Sequence, residues 1–500
     1  MTASTQPAGN TAASTRTAVS AGRDPHRALL ASRLEPSLRS GEAGRPARRS
    51  RSAVVIGASM AGLSAAAVLS SRFASVVILE RDVLPDDPDD RKGVPHGRHA
   101  HGLLPAGLSR LVDWFPGITE QLLAAGATYA DIGGDVVWFQ GDGYRARFAT
   151  GMAGPLASRP LLEHVVRRRT LALPNVSLRA GAGATGLLTT EDRATVTGVS
   201  LQDGTSLAAD LVVDASGRVG HSLRWLGELG YDPPPTTEID IDVAYASRRV
   251  RLAGAAPDWK FAISLAGPPA GRWGVAFPLE NGEWIVTLTG LHGDRPPTDD
   301  PGFLAFARSL PSPEVAEVLE AAVPAGPIVT HRLHSNQRRH VERMRHVPGG
   351  LVMLGDAVCS FNPTYGQGMS TATLQAEALG QALDRTTTTD ARFVKAFYKR
   401  AAKAITPAWQ LTTGADFGLP GTIGHKPPGT DLMNRYMRHV FRASQISEKV
   451  ALRVIEVTTL LRPPPALLTP AMLVAVLRGS RRAARTAPAA HQPARQPVAA

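Results

Sequence analysis

The sequence predicts an α/β fold: a Rossmann-like domain interrupted by a β-sheet domain and followed by a helical C-terminal segment. Three observations carry this. Within residues 52–80, SAVVIG, LSAAAVLSSRF and SVVILE read as strand, helix and strand. LVMLGD at 351–356 is a further apolar strand, and GQGMS at 366–370 opens a long helix of small residues. Between them, residues 223–346 hold alternating or wholly apolar runs such as EIDIDVAYAS and RWGVAFPLENGEWIVTLTG, with Asn281-Gly282 as a hairpin turn, which suit a sheet.

Five hundred residues suffice for two or three domains with a sizeable core, and 43% hydrophobic content is ordinary for a globular chain. No apolar run is long enough to span a membrane as a helix. Cys359 is the sole cysteine, which excludes an intramolecular disulfide and suits a reducing, cytoplasmic setting. The net charge of +12 resembles a nucleic-acid signal, but its distribution argues against one. Residues 1–51 carry nine Arg against three acids, and residues 478–500 carry five Arg and no acid, so the body is nearly neutral. Nucleic-acid binding needs a basic face on a folded domain. Arg48-Arg49 before an apolar stretch resembles an export signal superficially; a strand and a glycine-containing helix account for that stretch better.

Two glycine motifs compete as a dinucleotide site. Gly181 to Gly186 is a clean G-x-G-x-x-G, whereas Gly57-Ala58-Ser59-Met60-Ala61-Gly62 has Ser at its middle position. Context favours the flawed one. It follows a strand, opens a helix, and precedes Glu80 at the end of the next strand, 18 residues beyond Gly62. A helix N-terminus there would face a pyrophosphate, and Glu80 a ribose. The clean match runs instead into polar turns between Val- and Thr-rich runs, a β-meander with no helix to point at a phosphate.

Two more signatures follow: DLVVDASGR at 210–218, a strand entering a glycine loop, and Gly355-Asp356 with Pro363 and Gly366 to Met369. The helix from Gly368 offers its positive end to an anion. His96, His99 and His101 invite a metal reading, but no Cys or carboxylate cluster accompanies them, and no metal site is assigned. SEKVALRVIEVTTLLRPPPALLTPAMLVAVLRG has helical spacing broken at Pro463 to Pro465. It suits helices packed on the body or capping a substrate tunnel, with peripheral membrane contact as the alternative.

In GASMAGLSAA, ERDVLPDDPDDRKGVPHGRHAHGLLPAG, ASRPLLEHVVR, LVVDASGR, GLVMLGDAVCSFNPTYGQGMSTAT and KPPGTDLMNRYM, the chain resembles FAD-dependent monooxygenases of the aromatic-hydroxylase fold. Within them it is most similar to the alkene epoxidases of bacterial polyether biosynthesis, relatives of squalene epoxidases. The likeness spans roughly residues 52–478. It implies that Gly57, Ser59, Met60, Ala61 and Gly62 carry the FAD pyrophosphate, and that Glu80 holds the adenosine ribose with Arg81 beside it. Arg159 would contact the cofactor from the substrate side, and Asp356 its ribityl or pyrophosphate region. Pro363, Gly366, Gly368 and Met369 would lie at the isoalloxazine. Domain boundaries follow: disordered tails at 1–51 and 479–500; FAD-binding parts at 52–124, 155–222 and 347–400; substrate-domain strands at 125–154 and a substrate domain at 223–346; helices at 401–478.

The resemblance implies insertion of one oxygen atom from molecular oxygen, through a flavin C4a-hydroperoxide, into a large apolar substrate. Alkene epoxidation in secondary metabolism is the expected reaction. FAD would be reduced by NAD(P)H directly or through a separate flavin reductase. The rivals on this fold are an aromatic hydroxylase, an isoprenoid reductase and a flavin-dependent halogenase; RWGVAFP lacks the W-x-W-x-I-P pattern of the last. A non-catalytic flavoprotein is a further rival. Trp259, Phe261, Trp273, Phe277 and Trp284 are candidate pocket aromatics, with core packing the commoner role. Cys359 reads as a small buried hydrophobe.

Overall fold

The computed structural model describes residues 51–268 and 271–486. In the first domain five parallel strands lie in the order Leu351–Met353, Leu211–Asp214, Ser52–Ile56, Ser75–Glu80, Val176–Ala180. They are short and mostly aliphatic, as strands covered on both faces are. Val55, Ile78, Val212, Val213 and Val352 are fully buried. The chain proceeds from Ser52–Ile56 to one side and later returns to the other. A crevice therefore opens at the C-terminal ends of Ser52–Ile56 and Leu211–Asp214, where such sheets bind ligands.

The helix Met60–Ser70 joins the first two strands. All its residues except Ala61 and Ala67 are buried, so it is apolar all round, as a helix enclosed on every side must be. It packs against the helices Arg159–Leu171 and Gly368–Leu383.

The chain leaves this domain for strands between 128 and 156, returns with Arg159–Leu171, leaves again after Ser222–Glu228, and returns at Leu351. Apart from Thr128–Asp131 and Ala153–Leu156, which pair with each other, the departures build one large sheet. Its main path runs Cys359–Ser360, Val329–Arg339, Thr236–Leu252, Trp284–Gly290, Trp273–Pro278, Phe261–Ala266, Val136–Gly141, Gly143–Tyr144. Asn281 and Gly282, both at positive φ, make the expected hairpin turn.

Side chains alternate between the two faces of this sheet. On the outer face Ala246, Val250, Ala262, Ala276 and Leu288 pack on the helices Asp300–Arg308 and Glu314–Glu320 through Phe303, Phe306 and Val315. On the inner face Phe277, Leu279 and Ile285 pack with Phe261, Leu156 and Ala100. Ala100 comes from the loop that follows Ser75–Glu80, so the inner face turns toward the first domain. Trp259 and Trp284 meet edge to face, 5.6 Å apart, in the outer cluster. They are core there, on the face turned away from the crevice.

The clean glycine motif at 181–186 leads into an antiparallel three-stranded sheet, Ala184–Thr189, Val196–Leu201 and Ser206–Ala208, and no helix starts there. Four expected boundaries fall inside elements; 154/155 cuts the strand Ala153–Leu156 and 222/223 the helix Ser222–Glu228. The helix Ala391–Asp416 runs straight through 400/401. The last helix, Pro470–Thr486, passes eight residues beyond 478. Its arginines 478, 481, 482 and 485 are exposed, but Gly479, Ser480 and Ala483 are buried. A Cβ on Gly479 would lie 2.9 Å from that of Ala443, on the helix Thr430–Ser444. The composition signals a solvated tail, whereas small residues at helical spacing dock it. The rest of the expected tails, 1–50 and 487–500, lies outside the described residues.

Leu63 is fully buried between the first sheet and its covering helices. Leu63→Ala is expected to cost about 2–5 kcal/mol of stability, seen as a lower urea midpoint with unchanged slope.

Candidate active site

The first turn after Ser52–Ile56 fixes the geometry of the crevice. Gly57 has φ +103°, and a Cβ there would come within 2.6 Å of the Ala215 carbonyl oxygen. A Cβ on Gly62 would lie 1.8 Å from the Gly57 oxygen. Helix and strand therefore touch backbone to backbone, which no side chain at 62 permits. Ser59 is the N-cap of the helix, yet its side chain makes no capping bond. The first-turn N–H groups are left for an outside acceptor. The Ala58 N–H donates to Glu80 Oε2 at 2.9 Å.

Around this turn lies a buried ionic network. The Ser59 hydroxyl donates to Glu163 Oε2 at 2.7 Å and accepts from Arg159 Nη2 at 2.7 Å. Arg159 pairs with Glu163 at 2.9 Å. Arg91 pairs with Glu163 Oε1 at 2.8 Å, and with Glu80 and Asp82 at 3.1 Å each. Burial alone would raise the Glu163 carboxyl, but Arg159, Arg91 and the Ser59 hydrogen bond hold it below its ordinary range. Arg91 is pulled down by burial and pushed up more strongly by Glu163 and Glu80.

Across the crevice, Leu351–Met353 leads to Gly355, at φ +68°, and Asp356. Asp356 is open to solvent yet recessed among protein groups. Desolvation raises its carboxyl, against the pull of Arg159 and Arg218. Pro363–Tyr365 forms a single turn ending in left-handed Gly366. The helix Gly368–Leu383 then starts, again without a capping side chain. Two uncapped helix N-termini thus border one crevice, each a place for an anionic group.

The second loop is held from behind. Asp416, fully buried on the helix Ala391–Asp416, accepts from Asn336 Nδ2 at 2.6 Å, Asn362 Nδ2 at 3.0 Å and the Tyr365 hydroxyl at 3.0 Å. Thr412 donates to Gln367 Oε1 at 2.9 Å. Burial pushes the Asp416 carboxyl up to about 6, with the three donors restraining it.

A family of sequences described as FAD binding domain matches residues 51–406. The chain belongs to this FAD-binding family. Protein Rv3254 of Mycobacterium tuberculosis is 33% identical over 388 residues, covering 73% of this chain and 80% of that protein. Kynurenine 3-monooxygenase of Salinispora arenicola is 28% identical over 438 residues, 82% and 86% of the two chains. Among solved structures, flavin-dependent brominase Bmp2 superposes with a TM-score of 0.60 at 15% identity, over 86% of this chain and 99% of that one. The fold is that of FAD-dependent monooxygenases and halogenases.

The residues present fit FAD: two uncapped helix ends, glycines that let backbone approach a ligand, and a carboxylate at the end of the second strand. Gly57, Ser59, Met60, Ala61 and Gly62 form the first turn, and Gly366, Gly368 and Met369 the second. Arg159 stands between them, bonded to Ser59. Both carboxyl oxygens of Glu80 are engaged within the protein, by the Ala58 N–H and Arg91 on one and the Asp82 N–H on the other, so it braces the glycine turn; Arg81 is exposed. Pro363 is exposed at the crevice edge.

Sequence reasoning assigned no role to Arg91, Asp82, Glu163, Asn336 or Asp416. The first three stand in stretches that carry the family resemblance, but nothing in a chain's periodicity marks a charge as buried. Asp416 closes a polar network between segments 80 residues apart in sequence.

The three histidines join loop to sheet. His99 Nδ1 bonds the Ser247 hydroxyl at 2.8 Å, Ser247 meets Thr287 at 2.6 Å, and the Ala100 N–H donates to Thr287. His101 Nδ1 meets the His99 carbonyl at 3.0 Å. His331 stands 6.0 Å from both His96 and His99, ring to ring. Burial, then Arg159 for His96 and His331 for His99, lowers these two to about 3, so they are neutral near pH 7. Among the described residues no group of His, Cys, Asp and Glu is arranged to hold a metal ion.

Two predictions follow from this geometry. Gly57→Val or Gly62→Val abolishes FAD retention, whereas Gly183→Ala keeps it, because a Cβ at 183 meets only the end of Gln202, at 3.3 Å; flavin absorbance of the purified variants checks this. For Asp416, the folded carboxyl binds its proton more tightly than an unfolded Asp does. Its stabilising protonation is therefore present below about pH 4 and lost as pH rises through about 6. The loss amounts to about 3 kcal/mol at most. Urea midpoints from pH 4 to 7 are expected to show this fall in the parent relative to Asp416→Asn, which lacks the titration.

Proposed function

We propose that this protein is an FAD-dependent monooxygenase that inserts one oxygen atom into a large apolar substrate, by epoxidation of an alkene. The observation that carries this reading is the inner face of the large sheet. Ala262 and Ala276 pack outward, so their neighbours Ile263 and Val275 face the first domain. With Leu265, and next to the already covered Phe277 and Ile285, they are only half-buried although apolar. An apolar chain would cover them. Bound FAD supplies the activation of oxygen and its transfer. The protein's part is to orient the cofactor, exclude water and hold the substrate against it.

The polar side chains along this interface support a reaction without substrate deprotonation. Burial lowers His96 and His99 to about 3, which makes them too weakly basic to hold a proton taken from a substrate near neutral pH, and His99 is already engaged with Ser247. Electrophilic transfer of oxygen to a double bond needs no base, whereas hydroxylation of a phenol benefits from one. The positive end of the Gly368–Leu383 helix suits the negative charge of a reduced flavin ring. We infer reduction by NAD(P)H, directly or through a partner reductase. Secondary metabolism and a cytoplasmic setting complete the reading; among the described residues no helix is long and apolar enough to cross a membrane.

The test is incubation of the reduced holoenzyme with isotopically labelled oxygen gas and a panel of terpene and polyene alkenes, followed by mass analysis. One labelled oxygen atom per product, as an epoxide, is expected. A phenol formed from aromatic substrates instead would make it a hydroxylase, a halogenated product a halogenase, and a hydrogenated alkene a reductase.

A further inference from the structure

A second cleft lies at the edge of the large sheet, where Val136–Gly141 turns back through Gly143–Tyr144. Its volume is about 360 Å³, and Trp138, Tyr144, Arg145, Trp259 and Glu317 are among its walls. None of its lining residues belongs to the glycine turns or to the Arg91–Glu163 network.

Arg145 makes this cleft unusual. Its side chain is buried, with 8% of the residue exposed, and neither terminal guanidinium nitrogen has a hydrogen-bond partner. The guanidinium stacks 3.8 Å over the Trp138 ring, and the Trp138 indole N–H is itself buried and unpartnered. Three donors without acceptors thus stand side by side. Burying one polar donor unpaired costs roughly 1–3 kcal/mol, and a charge costs more. Burial lowers Arg145 to about 9, with no carboxylate near enough to offset it. Two of the acids around the cleft are engaged elsewhere: Asp258 pairs with Arg147 at 3.4 Å, and Glu314 bonds the Tyr144 hydroxyl.

We propose that this cleft binds a small monocarboxylate with an aromatic or alicyclic body, its carboxylate on Arg145 and its ring among Trp138, Tyr144 and Trp259. A planar carboxylate matches the two-nitrogen fork of a guanidinium, and a second acceptor is within reach of the indole N–H beside it. At the opening, away from the Arg145 guanidinium, Asp258, Glu314 and Glu317 outnumber the one cation Arg147, which disfavours phosphate and other polyanions. At the volume of a liquid water per heavy atom, the space holds roughly a dozen atoms. The site is independent of FAD and of the epoxidation reading, and its test does not use turnover.

The experiment titrates the FAD-loaded protein with phenylacetate, cyclohexanecarboxylate, benzoate and inorganic phosphate, following tryptophan fluorescence and heat. A ring carboxylate is expected to bind, to perturb Trp138 emission and to raise the melting temperature. Arg145→Met is expected to retain FAD and to weaken that binding at least tenfold. Should Arg145→Met not fold, Arg145→Lys carries the test: it keeps the charge without the fork and is expected to bind more weakly than the parent. Failure of every carboxylate to bind, unaltered binding in the variants, or phosphate binding as tightly as the carboxylates would each overturn the proposal.

Discussion

Three carboxylates from two distant segments, Glu80 and Glu163 buried and Asp82 half-buried, converge on one guanidinium. Arg91 holds Glu80 and Asp82, at the end of the second strand, and Glu163 on the helix Arg159–Leu171. Glu163 passes the constraint through Ser59 and Arg159 to the glycine turn, and Glu80 passes it through the Ala58 N–H. The glycine turn, the end of the second strand and the start of the helix Arg159–Leu171 are therefore tied to one charge cluster. Removing one member would leave a buried charge uncompensated, a loss of about 3–5 kcal/mol in typical cases. A turn braced in this way is preformed, which lowers the ordering cost of binding.

The second half of the crevice uses a different device. The loop Pro363–Gly366 carries no ion pairs. It hangs on Asn362, and behind Asn362 stand Asn336 and Asp416, from the large sheet and the long helix. Sheet, helix and loop meet at one carboxylate, so the Pro363–Gly366 loop is registered against the large sheet through hydrogen bonds. The His99–Ser247–Thr287 chain does the same on the other side. A cofactor between these two seams would sit at a fixed height above the inner face of the sheet.

The C-terminal helices show how composition misleads where packing decides. Arginine content argues for solvent, and in the last helix Arg478, Arg481, Arg482 and Arg485 are indeed exposed, after the exposed Leu473, Val474 and Leu477 of its first half. The opposite face is small enough to nest on the Thr430–Ser444 helix. A pattern of Gly, Ser and Ala spaced by three and four residues is weak in hydrophobicity and strong in fit, so it escapes a reading based on apolar periodicity.

The sequence by itself determined the fold class, the choice of glycine motif, the meander and the hairpin at Asn281-Gly282. These depend on local order: which residue follows which strand, and whether a helix comes next. It also determined membership of the FAD-binding family, though not a narrower kinship, through Gly57 to Gly62, Gly355-Asp356 and Gly366 to Met369, since backbone that approaches a ligand leaves glycine in the chain. Only the tertiary structure decided which charges are buried and who neutralises them. Arg91 and Asp416 are ordinary polar residues in one dimension, and become the braces of the crevice once segments far apart in sequence meet. Arg145 is the converse case, a charge the fold buries without a partner. Pairing is a property of distance in space, and a linear chain carries no record of it until its strands and helices have packed.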